Sequence, residues 1–344
     1  MHLFHDTPDY YTTSLMGRVW DTVHADAIVD ANDGYGGGGA LSASSANGSV
    51  IKYHDQAGQS AFACGMRFKC TTLPGADKVI LAVVDAAGTI QCCVVLKTTG
   101  KLALYKGNLT TQIGSDSAAA ITTSTQLDIG FKGVVGSVNG SGEVWVGDAG
   151  DPTTWTRVIA VSNANTAGGS GEFHRGVFVG STTATFTSHV YMRDGQGSQV
   201  DLVPGYFIFV KLPDAPGGYT GFSANAGALD DALDDAAADD DTTHAVTYAI
   251  GSSYSVSMSA VTSRAVLAVE TVQMVKNVSP DGVGLTHVPR CVIAAGALYD
   301  GPWQSASDSV WKALRQRWPV NPSTGLAWTD AEINASEWGG YANP

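Results

Sequence analysis

Carboxylates and imidazoles are the side chains from which chemistry would be built in this 344-residue chain, and their spacing assembles little of it. The eight histidines are dispersed, and none stands at metal-ligand spacing from another His or from a Cys. There is no H-E-x-x-H, no G-x-S-x-G and no phosphate loop ending in Lys. Asp and Glu together number 32, so a pair at glycosidase separation stays open. No residue is nominated as catalytic, no metal set is complete and no cofactor is implied.

Three stretches imitate sites. Gly34-Tyr35-Gly36-Gly37-Gly38-Gly39 fits G-x-G-x-x-G formally. A dinucleotide site needs a strand before it, a helix after it and an acidic partner within a βαβ unit, so this run is a loop. Asp30-Ala31-Asn32-Asp33-Gly34 resembles part of a calcium loop, but its Gly comes early and no Glu closes it. Residues 228–241 are an Ala/Asp tract whose aspartates repel one another, which reads as a solvated acidic loop. If a glycan is bound, sugar rings stack on aromatic faces, and Tyr35, Trp155 and Tyr219 are the candidates among the rim aromatics.

The elements that would carry such groups are strands. Phe62, Cys64, Met66, Phe68 and Cys70 alternate with Ala63, Gly65, Arg67, Lys69 and Thr71, the period of a strand with one face in a core. Val79–Val84 and Ile90–Leu96 flank a turn at Asp85-Ala86-Ala87-Gly88. Lys97-Thr98-Thr99-Gly100 turns into Leu102–Tyr105, and Asn139-Gly140-Ser141-Gly142 separates Leu127–Val138 from Val144-Trp145-Val146. Short strands divided by Gly-bearing turns are the pattern of an antiparallel sandwich or jelly roll. Charged residues make up only 15% and glycines number 41, which suits the same class.

A net charge of -13 and a pI of about 4.8 argue against a nucleic-acid partner, since a phosphate backbone wants a basic patch. No apolar window is long enough to span a bilayer, and Met1-His2-Leu3-Phe4 lacks the layout of a secretory signal. The five cysteines form no C-x-x-C. Cys64 and Cys70 share a strand face roughly 20 Å apart, too far to bond, and small buried thiols are expected.

The end of the chain is the most specific stretch. Asn321-Pro322-Ser323-Thr324-Gly325 is a turn, and Thr329 stands three residues before Glu332, the spacing of a capping box. A short helix over 330–338, stopped by Gly339-Gly340, is predicted. So short a helix needs Trp328, Ile333 and Trp338 to hold it against the body, as a latch built from Trp328, Thr329, Glu332, Ile333 and Trp338.

This N-P-x-T-G, then W-T, then a short acidic helix and a closing E-x-G, resembles the C-terminal signature of a group of bacteriophage virion proteins. The strand order over 20–195, with Leu73-Pro74-Gly75 and the G-K-L-A-L-Y strand, is similar to the LamG-like (concanavalin-like) jelly roll of that group. Gly205–Val210 and Asp239-Asp240-Asp241-Thr242-Thr243 fall in the group's order, although the first lacks a basic residue and His244 stands where an aromatic is usual.

The resemblance implies an all-β protein: an N-terminal strand or arm (1–20), a LamG-like jelly roll (21–197) and a smaller β-sandwich domain with a short C-terminal helix (198–344). It implies a non-enzymatic component of the virion, associated with a tail, fibre or appendage and assembled in the bacterial cytoplasm. Expected partners are other virion proteins (tail, portal-vertex or capsid components), further copies of the chain and a host-surface glycan, with no membrane insertion. A carbohydrate-active enzyme or depolymerase on the same sandwich, or a capsid decoration protein, are the alternatives.

Overall fold

A computed structural model describes residues 2–6, 13–32, 39–43, 48–53, 58–119, 121–180, 184–194, 202, 213–225, 227–229, 233, 245–247, 252–258, 260, 266, 268–276, 286–293, 296–305 and 311–343. The described chain is all-β, with antiparallel sheets throughout. It divides into two compact units, Met1–Phe209 and Val210–Pro344. That boundary lies twelve residues beyond the one expected at 197/198, and the cause is visible: Leu202 packs with Ala63 and Tyr191 of the first unit.

The first unit begins with β1 (His2–Asp6), β2 (Thr22–Val23), β3 (Ala27–Asp30), β4 (Ala40–Ala43) and β5 (Gly48–Tyr53). The long strands follow: β6 (Ala61–Cys70), β7 (Lys78–Val84), β8 (Ile90–Leu96) and β9 (Leu102–Lys106). Next come β10 (Thr111–Ile113), β11 (Gln126–Val134), β12 (Gly140–Asp148), β13 (Thr156–Ala164), β14 (Arg175–Gly180) and β15 (Thr185–Arg193). One sheet runs β13-β12-β11-β6-β15-β4-β3, with β1 also paired to β15, so the N-terminal residues 2–6 belong to the sandwich rather than to a separate arm. The other runs β10-β9-β8-β7-β14-β5-β2.

Between the sheets lie Phe62, Cys64, Met66 and Phe68 from β6, with Phe131, Phe173 and Phe178, all essentially removed from water. Burying one such side chain stabilises by about 1.5–3 kcal/mol. The predicted hairpins are present. Gly88 (φ +86°) and Gly100 (φ +80°) close the turns after β7 and β8 in the left-handed region that favours glycine. Asp85 fixes the first turn further: its carboxylate accepts the amides of Ala87 and Thr89, the Gln91 side-chain amide and the amide of Ser170.

The second unit contains β16 (Pro213–Thr220), β17 (Ser223–Ala224), β18 (Ala245–Val246), β19 (Ser253–Met258), β20 (Val269–Val275) and β21 (Thr286–Ile293). It ends with β22 (Ala297–Asp300), β23 (Gln304–Ser305), β24 (Lys312–Trp318), a helix (Asp330–Asn334) and β25 (Glu337–Asn343). Its main sheet runs β16-β19-β25-β21-β22, and β20 pairs with β24 as a ribbon. Cys291, Ile293, Trp318, Trp328 and Trp338 form the core, with Val269 and Ile333 packed against it.

At the C-terminus the cap forms, with Thr329 Oγ1 accepting the Glu332 amide (3.3 Å) while Glu332 Oε2 accepts the Thr329 amide (2.8 Å). The helix, however, stops at Asn334 rather than 338. Trp338, Gly339 and Gly340 lie in β25, between β19 and β21. These glycines do not end a helix; they allow close approach. A Cβ on Gly339 would sit 1.9 Å from the Tyr254 carbonyl oxygen, and one on Gly340 would sit 2.2 Å from the His287 ring.

The acidic tract is mostly outside the described residues, as are Tyr35 and the expected strand at 206–210.

Candidate functional site

The outer face of the β6-containing sheet is the part of the first unit built for more than packing between sheets. Three glycines floor it: Gly65 on β6, Gly130 opposite it on β11, and Gly147 on β12. With no Cβ in the way, side chains lie down on the strands. A Cβ on Gly65 would be 2.2 Å from the Tyr191 ring, and one on Gly147 would be 2.6 Å from Trp155. On Gly130 it would meet both Trp155 (2.7 Å) and Leu202 (2.8 Å). The face that alternation placed in solvent is therefore largely covered: Ala63 and Arg67 are as buried as the core residues beside them.

Beneath this cover Arg67 Nε donates to Asp128 Oδ1 (2.8 Å) and Nη2 to Oδ2 (3.3 Å), with the Gly150 amide also on Oδ2 (2.9 Å). Burial pushes the Asp128 carboxyl up, against the pull of Arg67. His189 is buried nearby in a left-handed conformation (φ +47°), where β15 slips register between Ser188 and Tyr191. Burial, aided by the Arg67 charge, lowers its pKa to about 3, so its ring is neutral at ordinary pH.

The open part of the face lies on β11, β12 and β13. Trp145 stands between two cations, Lys132 Nζ at 5.8 Å and the Arg157 guanidinium at 5.9 Å from its ring centre. Glu143 ties all three together. Its Oε2 accepts the Trp145 indole N–H (3.0 Å) and faces Lys132 (3.5 Å), and its Oε1 accepts from Arg157 (3.0 Å). Burial pushes the Glu143 carboxyl up, but the indole and the two cations outweigh it and hold it below the usual range. Beside the cluster a shallow cleft of about 200 Å³ is lined by Phe62, Lys132, Val134, Ser141 and Glu143, among others. Two cations, one carboxylate and an indole on rigid strands can recognise a polar ring. Proton transfer suits them poorly, because Glu143 is held ionised.

Of the aromatic candidates, Trp155 is half-buried on this face and packs with Trp145 around Ala63, Tyr191 and Leu202. Tyr219 is half-buried on β16 of the second unit, its amide donating to Ser255 Oγ (3.1 Å). Across that sheet Arg290 is bidentate to Asp300 (2.6 and 2.9 Å) and lies 5.0 Å from the Tyr341 ring centre. Trp155 and Tyr219 thus belong to different units. The residues missed from sequence are Lys132, Glu143, Trp145 and Arg157. Their one signal was the facing of opposite charges, Lys132 against Glu143, across the β11–β12 hairpin.

The chain matches no protein-family model and no curated protein. Among solved structures it is similar to a Shewanella oneidensis protein of unknown function, at 12% identity and a TM-score of 0.37, covering 58% of this chain and 91% of that one. A carbohydrate-binding module from Bacillus subtilis overlaps at 11% identity and a TM-score of 0.33, over 50% of this chain and 93% of the module. Trypanosoma rangeli sialidase in complex with sialic acid overlaps at 11% and 0.35, over 49% of this chain but only 26% of the sialidase. Overlaps this loose carry nothing about activity.

Proposed function

We propose that the chain is a non-enzymatic structural component of a bacteriophage virion, carried on a tail, fibre or appendage. It works by packing onto other virion proteins and by attachment to a host-surface glycan. The observation that carries this reading is the C-terminal signature, N-P-x-T-G-x-x-W-T. Its Asn321, Gly325 and Trp328 each have a structural task in the second unit. Asn321 is buried and its carbonyl accepts the Gly325 amide (2.8 Å), with Gly325 at φ +70°. Trp328 donates its indole N–H to the Trp318 carbonyl (2.9 Å) and packs on Trp338 at 5.5 Å.

Two further observations favour this reading. All five cysteines are buried free thiols, which suits assembly in a reducing cytoplasm. On the outer face of the first unit, Glu143 is tied to two cations that hold it ionised, an arrangement for holding shape and recognising a ligand rather than for donating protons.

Mass spectrometry of purified particles tests the reading. Peptides of this chain are expected in many copies per particle, and their absence from particles would remove it.

A further inference from the structure

We infer that the outward sheet face of the second unit, around Arg290, is a subsite for an uncharged oligosaccharide. The inference rests on the adhesive half of the reading above and gives it a face and a ligand class.

Register sets the face. Arg290 on β21 pairs with Gly339 and Val288 with Tyr341, while Tyr341 also faces Ser253 on β19. Cys291 and Trp338, each one residue along, point the other way into the tryptophan core. Arg290 therefore lies on the side away from that core, yet it is only 8% exposed. Its Nε and Nη2 donate to Asp300 (2.6 and 2.9 Å) and its Nη1 to Ser253 Oγ (2.7 Å), with the Tyr341 ring centre 5.0 Å away. Asp300 chiefly, against burial and aided by the Tyr219 and Tyr341 phenols, holds the guanidinium charged, so both phenols stand around one cation. The braced arginine makes a rigid floor, and two half-buried tyrosines flank it.

Acceptors surround the floor. The Asp300 side chain stays 44% exposed while it holds Arg290. Glu337 Oε2 accepts the Gly218 amide (2.8 Å) and the Ser255 hydroxyl (2.6 Å), which leaves Oε1 to a ligand. Fixed carboxylates take the hydroxyls of a sugar, and ring faces take its C–H side. At the sheet edge the loop from β22 to β23 carries Trp303, 70% exposed, and the Gly301 amide pins that loop to the Pro289 carbonyl (2.8 Å). From Tyr219 on β16 to Asp300 on β22 is four strand spacings, roughly 19 Å. That width suits several sugar rings rather than one.

Charge selects the class. Among the described residues of β16, β19, β25, β21 and β22, the ionised side chains are Asp214, Asp300 and Glu337 against Arg290 alone. Arg290 is already matched by Asp300, so an anionic sugar meets only repulsion from the rest. A neutral chain meets none.

The test uses the full chain and isothermal titration with cellohexaose, maltohexaose and mannohexaose as neutral probes and hexagalacturonate as the acidic one. At least one neutral probe is expected to bind, roughly tenfold or more tighter than hexagalacturonate and with little change on adding salt. Tyr219→Ala, on an edge strand, should weaken that binding by about tenfold while leaving the melting temperature within about two degrees. Tyr219→Phe, which keeps the ring, should bind as the parent does, and Trp303→Ala should weaken binding less than Tyr219→Ala. The inference fails if no neutral probe binds, if hexagalacturonate binds equally well, or if Tyr219→Ala binds as the parent does. Those results leave the particle measurement untouched, and absence from particles would leave neutral-sugar binding standing.

Discussion

In the first unit β7 to β10 and β11 to β13 pair in sequence order, whereas the second unit takes its central strand, β25, from the last residues of the chain. The fillings differ too. The sandwich is packed with aliphatic side chains, thiols and Phe drawn from strands as far apart as β6 and β14, and its outer face is sealed by rings laid on glycines. The smaller unit centres on Trp318, Trp328 and Trp338, two of them from the segment after β24. Local pairings cost little loop-closure entropy, and distant ones cost more. The first unit can therefore form its hairpins early, but β6 and β7 still wait for β15 and β14, as β19 and β21 of the second unit wait for β25.

That contrast can be broken most forcefully at Trp338. Trp338→Ala removes a ring that touches both other tryptophans and is expected to cost about 3–5 kcal/mol. Hydrogen exchange should show β19, β21 and β25 losing protection while β6 to β8 keep theirs. Equal loss in both units would erase the distinction drawn between them.

In the first unit the matching target is Arg67. Arg67→Met leaves Asp128 buried without its cation, with an expected loss of about 3–5 kcal/mol. Arg67→Met with Asp128→Leu should recover most of that loss, because the pair's own desolvation cost goes with it. Thermal melts of the two variants decide the matter.

Much of this architecture is legible in the residues. The alternation over 62–71 marks a strand, and the turns at Asp85–Gly88 and Lys97–Gly100 are marked by glycines that take positive φ. Elsewhere a glycine serves close approach and imitates a turn. The hairpin placed at 139–142 turns earlier, since β11 ends at Val134 and β12 begins at Gly140. Gly140 is needed because a Cβ there would lie 2.0 Å from Thr166 Oγ1, and Gly142 because it would meet Leu104 at 2.6 Å. Gly339 and Gly340 misled the end of the helix in the same way.

The site suffers from this more than the fold does. Lys132 faces Glu143, and Trp145 lies near Arg157, only in the observed register, and a shift of the turn moves every partner. The burial of Arg67 was equally hidden, because it depends on Tyr191, Trp155 and Leu202, which are distant in sequence.

Acid sharpens the comparison, since each unit holds a buried neutral histidine. His287 pairs with Gln273 at 2.5 Å, and Gln273 in turn donates to the Gly339 carbonyl, joining the ribbon to the sheet. Burial lowers the His287 pKa to about 4, and burial with the Arg67 charge lowers that of His189 to about 3. Both folded values are below the ordinary 6.5, so the unfolded chain takes up protons first. Stability from these groups is present above pH 6.5 and is lost as pH falls. The loss should level off near pH 4 in the second unit, on the order of 3 kcal/mol, and near pH 3 in the first, on the order of 5 kcal/mol. Hydrogen exchange followed across this range gives the two profiles separately. His287→Gln should flatten only the profile of the second unit, and a slope that persists there would assign the effect to carboxylates instead.

The smallest effect expected is at the cap. Thr329→Ala removes the hydroxyl that accepts the Glu332 amide, a loss of about 1 kcal/mol. The helix it caps is only five residues long and is not stable on its own. It is held by Trp328 before it and by Ile333 within it, both packed on the tryptophan core. If that core is what closes the unit, Thr329→Ala should lower the melting of the second unit by a few degrees, with Thr329→Ser restoring it. The first unit should not respond. A loss as large as that of Trp338→Ala would mean that the capped turn positions the tryptophans, rather than the tryptophans the turn.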